Sequence, residues 1–317
     1  MKKPKKHHYL PQFYLERFKI VPQKGKVSHV YRIEKSASPK VTSPAIKDTG
    51  CETDYHTLDF DNQDKDRQTV EHALSRIETE QARLVDSICE NNKFTEDQKK
   101  PLASFISTMR FRVPAFKCLI ESSLEKMVES SFRILMYQEI IPKHPKEIEN
   151  IIHREGHNNI FNWMILWGMF QMAFKDEHIN LLEKMKIQLI MAPNSCHFIT
   201  SDSPVALYYP NYDSIKPYGV GPALKGTEVT FPISKNLLVK LTWDGEDGVT
   251  TAQEDEVWEY NRRSIIMADS QIFASEVSPD LLGKVALFHT VKAGYTLDVL
   301  PHENGAVHIS RFIPVTK

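Results

Sequence analysis

From about residue 66 to residue 185, apolar side chains recur at helical spacing, while the flanking segments are short, β-branched and punctuated by Pro, Gly and Asn. That contrast constrains the fold more than any motif. Val70, Leu74, Ile77, Leu84, Val85 and Ile88 share one helical face. Thr95 and Gln98 form a capping box, after which Leu102, Phe105, Ile106 and Met109 keep the period. Pro114 lacks an amide hydrogen and must kink or restart the helix, and Phe116, Leu119, Ile120, Leu124, Met127 and Val128 continue it. A loop with Pro142 and Pro145 follows, then predicted helix over 146–153 and 158–185. On the amino-terminal side, residues 14, 15 and 18 fit a short helix opening at Pro11, and 27–33 and 54–60 read as strands. On the other side, 187–191 and 197–200 read as a hairpin around Pro193-Asn194-Ser195, and 229–233 and 237–243 as a second one. Residues 254–274 look helical, and 285–291, 295–300 and 307–313 look like closing strands. The order strands, helices, strands predicts an α+β protein whose antiparallel sheet is completed by both chain ends. No repeat or composition break divides it. The expectation is one domain over 1–317, strand-rich in 1–60 and 187–317 and helical in 66–186.

Only 12 glycines are present, and neither G-x-x-x-x-G-K-[ST] nor G-x-G-x-x-G occurs, so no nucleotide-cradling loop is supported. The net charge of −1 excludes whole-protein electrostatic binding to nucleic acid. Lys2, Lys3, Lys5 and Lys6 nevertheless cluster before His7, either as a solvated tail or as a phosphate-contacting arm. Cys51, Cys89, Cys118 and Cys196 have no metal or redox spacing and read as buried thiols in a reducing compartment. No apolar stretch follows the basic amino terminus as a signal peptide requires, so the expected location is cytoplasmic. The longest apolar run, 160–174, is too short to span a bilayer and reads as a buried core helix rather than a membrane-lying one.

Three constellations carry possible chemistry. His7 and His8, with Gln12 nearby, could exchange protons near neutral pH or ligate a metal, or one imidazole could cap a strand or helix end. Thr200-Ser201-Asp202-Ser203-Pro204 is a turn at a strand's end. There Asp202 could orient a histidine, hold a divalent ion or act as a base, or simply satisfy turn amides. Ser201 lacks the elbow that activates a serine nucleophile and reads better as a substrate contact. Glu71 and Glu78 share a helical face about 10.5 Å apart by rise, too far to grip one ion together, though each could reach a site separately. Arg110 could pair with Glu78 or bind a phosphate. His144, His153, His157, His178 and His197 show no metal spacing, and the H-E-x-x-H glutamate is missing between His153 and His157.

The string His7-His8-Tyr9-Leu10-Pro11-Gln12-Phe13-Tyr14-Leu15 resembles the opening motif of the bacterial family catalogued as domain of unknown function 4238. Phe198-Ile199-Thr200-Ser201-Asp202-Ser203-Pro204-Val205 is similar to that family's Ser-Asp-x-Pro string, with Ser203 where the family more often has Asn. Asp54-Tyr55-His56-Thr57, Glu71, Glu78, Arg110, Phe231-Pro232-Ile233-Ser234 and Asn261 agree with its landmarks. The resemblance implies supporting roles for Tyr55, Glu71, Glu78 and Asn261, and implies no reaction. The residues themselves suggest a nuclease-like enzyme acting on a phosphodiester or nucleotide, in a toxin or defence setting. In that picture His7 or His8 moves protons, Asp202 orients it or holds a divalent metal, Arg110 offsets phosphate charge, and Lys5, Lys6, Gln12 and Ser201 contact nucleic acid. The alternative is a non-catalytic binding or sensor module with a protein partner, in which the polar motifs are folding devices.

Overall fold

A computed structural model of the protein describes residues 6–21, 27–58, 66, 68–137, 157–302 and 305–317. The predicted helix over 146–153, the Pro142–Pro145 loop and Lys5 lie outside the described residues. The helical middle comprises α2 (Thr69–Asn91), α3 (Glu96–Phe111), α4 (Pro114–Tyr137), α5 (His157–Ala173) and α6 (Asp176–Glu183). The Thr95–Gln98 capping box starts α3, and Pro114 takes the first position of α4, where its missing amide costs no hydrogen bond. The stretch read as one helix over 158–185 is two, broken at Phe174–Lys175. α5 is not wholly buried: Ile165, Leu166, Met169 and Ala173 face the core, while Trp167 is 58% exposed. No helix among the described residues is long and apolar enough to cross a membrane.

The amino-terminal part supplies β1 (Lys6–His8), α1 (Gln12–Leu15), β2 (Tyr31–Glu34), β3 (Val41–Thr42) and β4 (Cys51–Thr53). After α6 come β5 (Lys186–Met191), β6 (Thr200–Ser201), β7 (Ala206–Tyr208), β8 (Glu228–Ser234), β9 (Leu237–Thr242) and β10 (Gly248–Thr251). α7 (Glu254–Met267), β11 (Gln271–Ala274), α8 (Pro279–Phe288), β12 (Gly294–His302) and β13 (Gly305–Ile313) complete the order. One sheet runs β10-β5-β9-β8-β7 and a second β3-β2-β11-β6. The second joins amino-terminal strands to strands that follow the helices, since β11 lies antiparallel to both β2 and β6, while β12 and β13 pair with each other in a sheet of their own. The architecture is α+β, as expected.

Four local expectations need correction. β5 and the segment before β6 do not form a hairpin; β5 pairs with β9 and β10, and β6 joins the other sheet. The strand expected over 54–60 lies earlier, at β4, because Asp54 adopts a left-handed turn with φ 57°. The helix expected over 254–274 ends at Met267 and gives way to β11. The strand expected over 285–291 is mostly α8, whose start Ser278 caps by accepting from the Leu281 amide, with Pro279 next.

The opening motif is a core plug. Leu10, Tyr14, Leu15 and Phe18 are fully buried. The Tyr14 hydroxyl donates to the Pro232 carbonyl at 2.8 Å and lies 2.6 Å from Thr200 Oγ1, while its ring stacks on Phe231 with centroids 5.4 Å apart. Gly50 fixes the turn that brings β4 beside β1. Its φ is +64°, its carbonyl accepts from the Tyr9 and Leu10 amides, and a Cβ there would stand 2.9 Å from Leu10 Cβ.

Candidate active site

The β1–β4 ladder sets His7 opposite Glu52, and the turn after β4 returns His56 to its side. The two imidazoles stack nearly parallel, 9° apart with centroids separated by 5.9 Å. Both are buried, His7 at 0% and His56 at 1% exposure. Their nitrogens are fixed unequally. The His56 backbone N–H donates to His7 Nδ1 at 2.9 Å, so in neutral His7 the proton sits on Nε2. His56 Nδ1 meets Glu71 Oε1 at 2.6 Å, which places the His56 proton on Nδ1 and leaves Nε2 as a lone pair. Neither Nε2 has a partner among the described residues. Burial, then the nearby Arg112 charge, pushes the His56 pKa well below 6.5, so His56 is neutral near pH 7; burial also raises that of Glu71.

Around this pair stand two cations, Arg112 buried and Lys117 half-buried. Arg112 donates from one terminal nitrogen to Glu78 Oε1 at 2.9 Å and from the other to the His8 carbonyl at 2.6 Å. Its Nε has no partner among the described residues. Lys117 lies 4.3 Å from the centre of the Tyr55 ring and donates to the Tyr55 carbonyl, while the Tyr55 hydroxyl donates to the Arg112 carbonyl. Glu71 and Glu78, seven residues apart on α2, thus reach two neighbouring groups of one site rather than one common atom.

The site differs from the one the sequence suggested. Arg110 does not pair with Glu78; Arg112 does. Two residues along a helix turn the side chain by about 200°, so Arg112 faces α2 while Arg110 faces the opposite side and meets His178. Asp202 does not join the histidines; among the described residues the side chains with convergent ligand atoms are His7, His56 and Glu71. Its carboxylate is consumed by the turn before β11, accepting from the Asp269, Ser270 and Gln271 amides and the Ser270 hydroxyl at 2.8–2.9 Å. Burial raises its pKa against the pull of those bonds. Ser201 is fully buried and its oxygen accepts from the Ser203 amide. Asn261 bridges the His197 carbonyl and the Ile199 amide, pinning the strand that leads to Asp202. His8 turns outward to the Lys47 carbonyl, Lys6 pairs with Asp48 at 2.6 Å, and Gln12 is exposed at the start of α1. His56, Arg112 and Lys117 join this cluster without having been singled out from the sequence. The available signal for His56 was its place beside Tyr55 in the string Asp54-Tyr55-His56-Thr57.

The protein belongs to the DUF4238 family, described as a protein of unknown function, whose profile matches residues 6–278. Neither the curated proteins nor the solved structures gave a match. Family membership therefore carries no reaction, and function has to come from the geometry.

Proposed function

We propose that His7, His56 and Glu71 form a proton-transfer centre for phosphodiester cleavage, with RNA as the substrate class. One observation carries this reading: two buried imidazoles present unpaired Nε2 atoms in opposite states. His7 offers a proton and His56, backed by Glu71, offers a lone pair. General acid–base cleavage needs that complement. Arg112 and Lys117 supply positive charge where a phosphorane-like transition state gains negative charge. RNA follows from the chemistry, since proton transfer alone suffices when the 2′-hydroxyl is the internal nucleophile, and DNA lacks it. Because both rings are buried, substrate reaches them only if neighbouring side chains move aside.

A divalent metal centre is the second reading, favoured by one ligand atom from each of His7, His56 and Glu71 lying within 4.8 Å of the others. It would require His7 to give up the bond from the His56 amide if Nε2 were to ligate. The deciding experiment incubates the purified protein with single- and double-stranded RNA and DNA, in EDTA and in magnesium or manganese. Cleavage of RNA alone, surviving EDTA and lost in His7→Gln and His56→Gln, supports the proton-transfer reading. Cleavage that needs the ion transfers the assignment to a metal. Intact substrates throughout leave a non-catalytic binding module, with the imidazoles as folding devices.

A further inference from the structure

Arg110 is 8% exposed and always charged, yet no carboxylate among the described residues forms an ion pair with it. One terminal nitrogen lies 3.2 Å from His178 Nε2. That imidazole cannot supply negative charge. Ser107 donates its hydroxyl to the Ala173 carbonyl and so accepts from His178 Nδ1–H, leaving Nε2 as a neutral acceptor. The guanidinium otherwise packs on aromatic rings, 5.1 Å from the centre of Phe111, 5.4 Å from Phe312 and 5.9 Å from Tyr295. Ring quadrupoles soften a buried charge without cancelling it.

A cavity of about 20 Å³ adjoins this charge, lined by Arg110, Ser203, Tyr295 and apolar neighbours including Met109, Val205 and Met267. Among the described residues, buried Arg110 Nε and Ser203 Oγ have no partner, and the buried Tyr295 hydroxyl, which lies within reach of the Arg110 guanidinium, has no acceptor for its own proton. Each can donate a hydrogen bond. The space holds one water-sized particle and no polyatomic oxyanion. A buried cation without a counter-charge is strongly unfavourable, and three idle donors around it select for negative charge.

We infer that this cavity is a binding site for a single halide ion, chloride under ordinary conditions, held by Arg110, Ser203 and Tyr295. The site ties α3 to the loop after β6 and to the β12–β13 hairpin, so the ion acts as a structural cofactor. It is independent of the imidazole cluster, and Arg112, two residues away, has its own carboxylate.

Crystals of the full chain soaked in sodium bromide test it directly, with melting curves in sodium chloride and sodium gluconate at equal ionic strength. The expected result is an anomalous bromide peak between the three donors, together with a saturable rise of several degrees in melting temperature in chloride only. Ser203→Ala and Tyr295→Phe, which keep the buried charge and the fold, should shift the half-saturating chloride concentration upward several-fold. Arg110→Met should remove the chloride response. If that variant fails to fold, the two milder ones still decide. No bromide peak, or equal melting in both salts, overturns the inference.

Discussion

The imidazole cluster and the Asp202 turn are both buried and both polar, yet their bonding states are opposite. Every acceptor direction of Asp202 that matters is filled by the amides and hydroxyl of residues 269–271. At the other place, His7 and His56 each use one ring nitrogen to settle their orientation and leave the second idle. A saturated buried group spends its chemistry on the fold, whereas an oriented but unsaturated one keeps it. His178 supplies the control, a half-buried histidine with both nitrogens engaged.

Variants can break or sharpen this contrast. Asp202→Ala orphans several buried donors at once and should reduce unfolding free energy in urea by about 4 kcal/mol. A loss below about 1 kcal/mol would mean the turn does not depend on the carboxylate. Arg112→Met strips Glu78 and the His8 carbonyl of their partner and should cost about 3 kcal/mol by the same measurement. A pH series tests the control. Burial and the neighbouring Arg110 hold His178 at a pKa of about 4, below its ordinary 6.5. The unfolded chain therefore binds the proton first, and stability falls as pH drops from 6.5 toward 4, by up to roughly 3 kcal/mol. In His178→Gln that portion of the slope should vanish. The smallest stability effect is expected for His56→Gln, about 1 kcal/mol, accompanied by a loss of RNA cleavage on the order of 100-fold. Should His56→Gln destabilise as much as Asp202→Ala, the distinction between the two places fails.

Helical periodicity, the capping box at Thr95 and the restart at Pro114 were readable because their causes are local. The partner of β5 was not. Short apolar strands carry little register information, and the Pro193-Asn194-Ser195 turn suits a hairpin as well as a crossing between sheets. α8 was misread because apolar residues near 285 outweighed the Ser278-Pro279 start signal. In the site, His7, Glu71 and Glu78 were visible as polar residues beside apolar runs. The selection of Arg112 over Arg110 was hidden, since both sit in one short segment and only the rotation of α3 against α2 decides between them. The choice between the two readings of Asp202 was hidden for a similar reason: sequence reveals a carboxylate in a turn but not the donors folded around it.

Arg112 grips the carbonyl of His8, a residue that precedes it by roughly a hundred positions. On the ribosome, the histidine pair is therefore made long before the side chains that complete its surroundings emerge. Nascent chains that stop short of α3 carry the imidazoles without Arg112 or Lys117. On the proposed reading, the centre would be complete only once the helical middle has docked.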